Sequence, residues 1–138
     1  MTTESAKTIL FVDDDIDLVA ANKLQLERAG FNVITAPSQQ AAQEILATLR
    51  PDLAIVDLML EYRDSGFSLC HYIKKKDATI PVILVTGVTS ETGLEFDAAT
   101  QEERSWVKAD AMLAKPVRFE QLLLEIEQLL KSYELQAK

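Results

Sequence analysis

Asp13, Asp14 and Asp15 stand in a row, with Asp17 two positions further on, directly after the apolar stretch Thr8–Val12. Carboxylates this close repel one another, and burying even one without a partner is costly. Three chemistries compete to explain the cluster. Calcium would need an EF-hand loop. Asp13, Asp15 and Asp17 fit the opening of such a loop, but Leu18 stands where its turn needs glycine and Leu24 where its bidentate glutamate belongs. A dinucleotide would need a glycine-rich turn here, and carboxylates would repel its phosphates. Magnesium, a hard ion that takes one or two protein carboxylates and keeps several waters, fits best. Asp13 and Asp14 at one strand end, faced by Asp57, would supply its environment. Taken alone, the triplet would read more plainly as a solvated loop capping a helix, and Asp15 and Asp17 are expected to cap the first helix and face solvent.

These side chains need elements to hold them. Short apolar runs alternate with helical patterns along the chain. Strands are predicted at Thr8–Val12, Asn32–Ala36, Leu53–Leu58, Pro81–Thr86 and Ala111–Lys115. Helices are predicted at Ile16–Ala29, closed by Gly30, and at Ser38–Leu49, with Ser38 as N-cap and Arg50-Pro51 as stop. Further helices are predicted at Phe67–Lys76 after a loop holding Gly66, at Gln101–Ala109, and at Phe119–Leu135. Five strands alternating with five helices imply an α/β fold, a doubly wound five-stranded parallel sheet covered on both faces. One domain fills residues 1–138, with its core at about 7–130, and no output domain is expected. In such sheets active groups gather at the C-terminal strand ends. That rule selects Asp13, Asp14, Asp57, Thr86 and Lys115.

Composition narrows the partners. The 138 residues are 48% hydrophobic and 26% charged, as in an ordinary globular domain. A net charge of −8, with 22 acidic residues against 14 basic, disfavours nucleic acid and anionic membranes as partners. No apolar stretch approaches the roughly 18 residues of a membrane helix. The opening MTTESAKTILFV lacks the apolar core of a secretory signal. The lone Cys70 allows no intrachain disulfide and suits a cytoplasmic location.

The motifs ILFVDDD, PDLAIVDLML, IPVILVTG and KADAMLAKPV occur in that order. Together they resemble the response-regulator receiver domain of two-component signalling, over roughly Lys7 to Leu130. The resemblance implies a flavodoxin-like (βα)5 receiver of the single-domain type. It implies that Asp57 is the phosphorylated residue, and that Asp14 holds Mg²⁺ directly while Asp13 does so through water. The Met59 carbonyl would be a further ligand. Thr86 would bind a phosphoryl oxygen, Lys115 would pair with the phosphoryl group, and Pro116 would follow a cis peptide bond. The implied partners are a sensor histidine kinase or histidine phosphotransfer protein and a downstream protein target. The fourth helix, fifth strand and last helix would form the first candidate surface, and a homodimer is left open.

The chemistry is coherent on its own terms. A carboxylate is a poor nucleophile towards a phosphoryl group because both are negative; Mg²⁺ and Lys115 would offset that charge and align the reactants. A phosphatase of the haloacid-dehalogenase type would need a second aspartate where Met59 stands. A receiver-fold interaction module without phosphorylation is the alternative, against which the full set of polar residues argues.

Several features depart from the resemblance. Glu61 takes the place of a customary proline, and the loop after Asp57 gains a residue. The stretch from Thr86 to Lys115 is enlarged, and Met112 replaces the usual Tyr or Phe, with Trp106 read as a packing anchor. Cys70 is expected to be partly buried, His71 on the surface, and Lys74-Lys75-Lys76 a solvated helix end. Met59 and Val88, which would flank the phosphoryl group, cannot orient a water by hydrogen bonding. The phosphorylated protein should therefore decay over minutes or longer; a half-life of seconds in a decay measurement would overturn this.

Overall fold

The computed structural model describes residues 6–57, 65–86, 109–115 and 117–136. The elements follow in order: β1 (Thr8–Val12), α1 (Ile16–Arg28), β2 (Asn32–Ala36), α2 (Gln39–Leu46), β3 (Leu53–Asp57), α3 (Ser65–Lys76), β4 (Val82–Thr86), β5 (Ala111–Ala114) and, as the fourth helix described, α4 (Phe119–Gln136). The strands form one parallel sheet in the order β2-β1-β3-β4-β5. The doubly wound fold expected from the sequence is therefore present. Of the helix expected over Gln101–Ala109 only Ala109 is described, and it is not helical. Met59, Glu61, Val88, Trp106 and Pro116 lie outside the described residues.

Alternation along the strands builds two cores. Leu10, Val12, Ala54, Val56, Val82 and Leu84 face α2 and α3. Ile9, Phe11, Leu53, Ile55, Ile83 and Val85 face α1 and α4. Every residue of β3 and β4 is buried, as a parallel sheet covered on both faces requires. Each such aliphatic side chain contributes about 1.5–3 kcal/mol by leaving water. Met112 sits half-buried against the α2–α3 core, and its unbranched side chain adapts to that gap.

Local chemistry sets the element ends. Asp15 caps α1, its side chain accepting from the Leu18 N–H, and both Asp15 and Asp17 are exposed, as expected. At the other end Gly30 has φ 102°. The Gly30 N–H donates to Glu27 O and the Phe31 N–H to Leu26 O, which closes the helix in a Schellman turn. Ser38 caps α2 through the Ala41 N–H, but α2 stops at Leu46, three residues short of the expected end. There the Thr48 hydroxyl and N–H both turn back onto Ile45 O, a local bond that competes with helix. Helix α3 starts at Ser65 rather than Phe67. A glycine in a helix costs about 1 kcal/mol relative to alanine, less than the burial of Leu69 and Ile73 returns. Pro81 lacks an N–H, so β4 begins at Val82, yet the Pro81 carbonyl still accepts from Ala54 N–H.

At the N-terminal end of the sheet two aspartates start ladders. Asp52 precedes β3; its N–H donates to Thr8 O at 2.8 Å, and its carboxylate accepts the Thr8 N–H at 2.8 Å. Asp110 precedes β5 and does the same with Val82, at 2.8 and 2.7 Å. Each carboxylate thereby satisfies the first N–H of a neighbouring strand.

Three expectations for α3 need correction. Cys70 is fully buried, and burial pushes its thiol up to about 12. His71 is half-buried rather than on the surface, on a helix that packs against α2 as well as against the sheet. Lys74 is not a solvated helix end. Its side chain is only 14% exposed and pairs with Asp110 at 2.7 Å.

Asp52→Ala should cost about 1 kcal/mol in urea unfolding by leaving the Thr8 N–H without its acceptor. Asp17→Ala, on the exposed face of α1, should change stability far less. Equal effects would show that the side-chain start to the β1 ladder contributes nothing.

Candidate functional site

Strand register determines which residues can meet. Val12 pairs with Val56, so Asp13 and Asp57, each one residue on, stand level. Asp57 pairs with Val85 and Thr86 with Ala114, so Thr86 lies one step and Lys115 two steps further along. Asp13 is tied down by its N–H to Ala36 O at 3.1 Å, and Lys115 by its N–H to Thr86 O at 2.8 Å. Lys115 and Asp57 are two strand spacings apart, about 9.6 Å. Only a long side chain covers that span.

Lysine covers it. The Lys115 ammonium lies 3.3 Å from Asp13 Oδ2 and 3.6 Å from Asp57 Oδ2. Burial alone would lower its pKa, but the two carboxylates outweigh burial and hold it above the usual lysine value. Asp13, Asp57 and Thr86 are buried, whereas Asp14 is exposed at the rim. Asp13 Oδ1 also accepts the Asp15 N–H at 2.9 Å. This is an aspartate folding back onto its own backbone two residues on. Asp15 thus serves twice, as cap of α1 through its carboxylate and as the group that orients Asp13 through its backbone N–H. The sequence signal for the second use is Asp13 itself, a residue type that bonds the backbone two residues on.

One oxygen from each of Asp13, Asp14 and Asp57 lies within 4.8 Å of the others. Against these three carboxylates stands one ammonium, so the described groups carry two more negative charges than positive. A divalent cation would balance them. Asp13, Asp14 and Asp57 would be the residues to hold it, each through a carboxylate oxygen. The donor set, all hard oxygen, suits Mg²⁺. Thr86 ends β4 beside this group, and Met59, whose carbonyl was a proposed ligand, lies outside the described residues.

The two aspartates of the strand end are therefore not equivalent. Removing either carboxylate relieves repulsion. Asp13, however, holds the Asp15 N–H and meets Lys115, while exposed Asp14 only adds charge. With metal removed by chelation, Asp14→Asn should raise the urea midpoint slightly. Asp13→Ala should instead lower stability by about 1–3 kcal/mol, as expected when buried donors lose their acceptor. If Asp13→Ala stabilised as much as Asp14→Asn, the anchoring role of Asp13 would be wrong.

Comparison with known proteins meets this geometry. The family model described as response regulator receiver domain matches residues 9–127. The heme response regulator HssR of Staphylococcus aureus strain Newman is 35% identical over 127 residues, covering 90% of this chain and 51% of that protein. HssR of Staphylococcus haemolyticus is 32% identical over 130 residues, covering 94% and 54%. The chain thus spans about half the length of the curated relatives it matches. Among solved structures, a CheY-like response regulator receiver domain protein from Methanospirillum hungatei superposes with TM-score 0.81 at 28% identity, covering 96% of this chain and 99% of that one. With a parallel sheet in the order 2-1-3-4-5 and an acidic cluster at the C-terminal ends of β1 and β3, the chain belongs to the response regulator receiver domain family of two-component signalling.

Proposed function

We propose that the chain is a phosphoacceptor whose Asp57 takes a phosphoryl group from the phosphohistidine of a sensor histidine kinase or histidine phosphotransfer protein. One observation carries this reading: buried Asp57 lies within 4.8 Å of two further carboxylates and 3.6 Å from an ammonium. An Asp57 oxygen attacks phosphorus, the phosphorus–nitrogen bond breaks, and the imidazole leaves. Asp13, Asp14 and Asp57, with the Met59 carbonyl, would hold Mg²⁺, which when bound supplies positive charge to the phosphoryl oxygens. Lys115 turns from the carboxylates to the new phosphoryl group, and the Thr86 hydroxyl donates to one of its oxygens.

The family's members are in general signalling modules rather than enzymes with turnover, and the only chemistry assigned to this chain is on itself. The signal then passes by contact with a downstream protein. On this reading the module works in the cytoplasm, which its buried free Cys70 suits. Among the described residues no helix is long and apolar enough to cross a membrane.

Beryllofluoride with Mg²⁺ imitates the aspartyl phosphate and tests the assignment directly. Wild type should show an Mg²⁺-dependent spectroscopic change on adding it, and Asp57→Asn should show none. A response of equal size in Asp57→Asn would remove Asp57 from the role.

A further inference from the structure

Two charged clusters lie at the end of the sheet away from the acidic site. In one, Arg50 meets Asp77 at 2.6 Å and Thr79 at 2.7 Å; it is largely exposed, and it tidies the turn before β4. The other is screened from water. Lys74 of α3, with its side chain 14% exposed, pairs with Asp110, 19% exposed, at 2.7 Å. Its ammonium also donates to Ile80 O at 2.7 Å and to the Tyr133 hydroxyl of α4 at 2.9 Å. The Tyr133 hydroxyl in turn donates to Asp110 Oδ1, and the ammonium lies 5.2 Å from the centre of the Tyr133 ring. Burial works against the charged lysine, but the bonds to Asp110 and Tyr133 outweigh it and raise its pKa; burial and Asp110 raise that of Tyr133.

We propose that Lys74, Asp110 and Tyr133 are positioning residues for Lys115, acting along β5. What Lys115 does in phosphoryl transfer rests on the reading above, but the mechanical link does not. Strand β5 has Asp110 immediately before it and Lys115 immediately after it. Within the described sheet it is an edge strand, paired with β4. Only Leu113 of its four residues is buried, whereas all five of β4 are. Packing therefore fixes β5 less firmly than it fixes β4, and yet β5 carries the ammonium on which the site depends.

The ends supply what packing does not. Asp110 grips Val82 through both its N–H and its carboxylate, and Lys74 ties that carboxylate to Ile80. Asp110 is thus attached twice to the chain leading into β4, while Tyr133 attaches it to α4. At the far end β4 supplies Thr86 O to the Lys115 N–H. The cluster therefore holds β5 against sliding along β4, and with it Lys115 against Thr86. Because Lys115 reaches across two strand spacings to Asp57 and three to Asp13, a small slide would alter both of its carboxylate contacts. The proposed Mg²⁺ ligands stand on β1 and β3, whose own register the slide would leave in place, so the metal site would lose far less than the phosphoryl site.

Tyr133→Phe removes only the bridging hydroxyl and provides the test. Amide exchange at Lys115 should quicken several-fold while exchange at Leu10, in the centre of β1, stays as in wild type. Affinity for beryllofluoride should fall roughly three- to tenfold, a range typical of weakened coupling, with Mg²⁺ affinity, measured alone, within about twofold of wild type. Lys74→Met should give the same pattern, larger. Arg50→Ala, which cuts the exposed cluster at the same end of the sheet, should leave Lys115 exchange unchanged. Equal losses of Mg²⁺ and beryllofluoride affinity, or quickened Lys115 exchange in Arg50→Ala, would show general loosening and overturn the proposal. Unchanged Lys115 exchange in Tyr133→Phe would overturn it as well. Should wild type take no beryllofluoride, the phosphoacceptor reading falls, and Lys115 exchange alone decides the positioning role.

Discussion

The Lys115 ammonium, lodged beside two buried aspartates, is the interaction on which the rest of the structure depends. It offsets the repulsion between Asp13 and Asp57, buried at neighbouring strand ends. It is also what demands that β5 be present and in register, since the fifth strand contributes little to the core. Much of the fold can be seen as the means of delivering one cation to one place. A parallel sheet brings the ends of successive strands together, and the covering helices keep water from the strand interiors.

Compensation at the site is partial by construction. A structural ion pair gains most when charges match, but here an exposed third carboxylate keeps the cluster negative. The surplus costs stability in the bare protein and raises affinity for whatever positive group arrives. Asp13 has a further tie to backbone through the Asp15 N–H, which holds that carboxylate in place before any ion arrives. Such preorganisation spares a bound ion or phosphoryl group the work of assembling its own ligands.

Most of this was legible in the residues. The burial of β1, β3 and β4 followed from their unbroken apolar runs, and the cap at Asp15 and the stop at Gly30 from local backbone chemistry. The convergence of Asp13, Asp57, Thr86 and Lys115 followed from the rule that active groups gather at strand ends. What escaped depends on tertiary partners. Lys74 reads as one of three solvated lysines until Asp110 and Tyr133 are brought beneath it, from positions 36 and 59 residues away. The early end of α2 turns on a single threonine hydroxyl, and the early start of α3 on packing that overrides a glycine. Periodicity reports which face is apolar; it does not report which polar atom finds another across the sheet.

The aspartates at the two ends of the sheet differ in one respect with wider reach. Asp52, Asp77 and Asp110 are each engaged by backbone or by a cation of their own, whereas the cluster holding Asp13, Asp14 and Asp57 keeps surplus charge in a chain of net charge −8. Among the described residues, charge without a matching partner is therefore gathered where β1 and β3 end in carboxylates. Any basic group nearing the molecule would be drawn towards that end before contact, and the pull would fade as salt screens the field. The charges that would let the site bind a cation would thus also favour one direction of approach over the others.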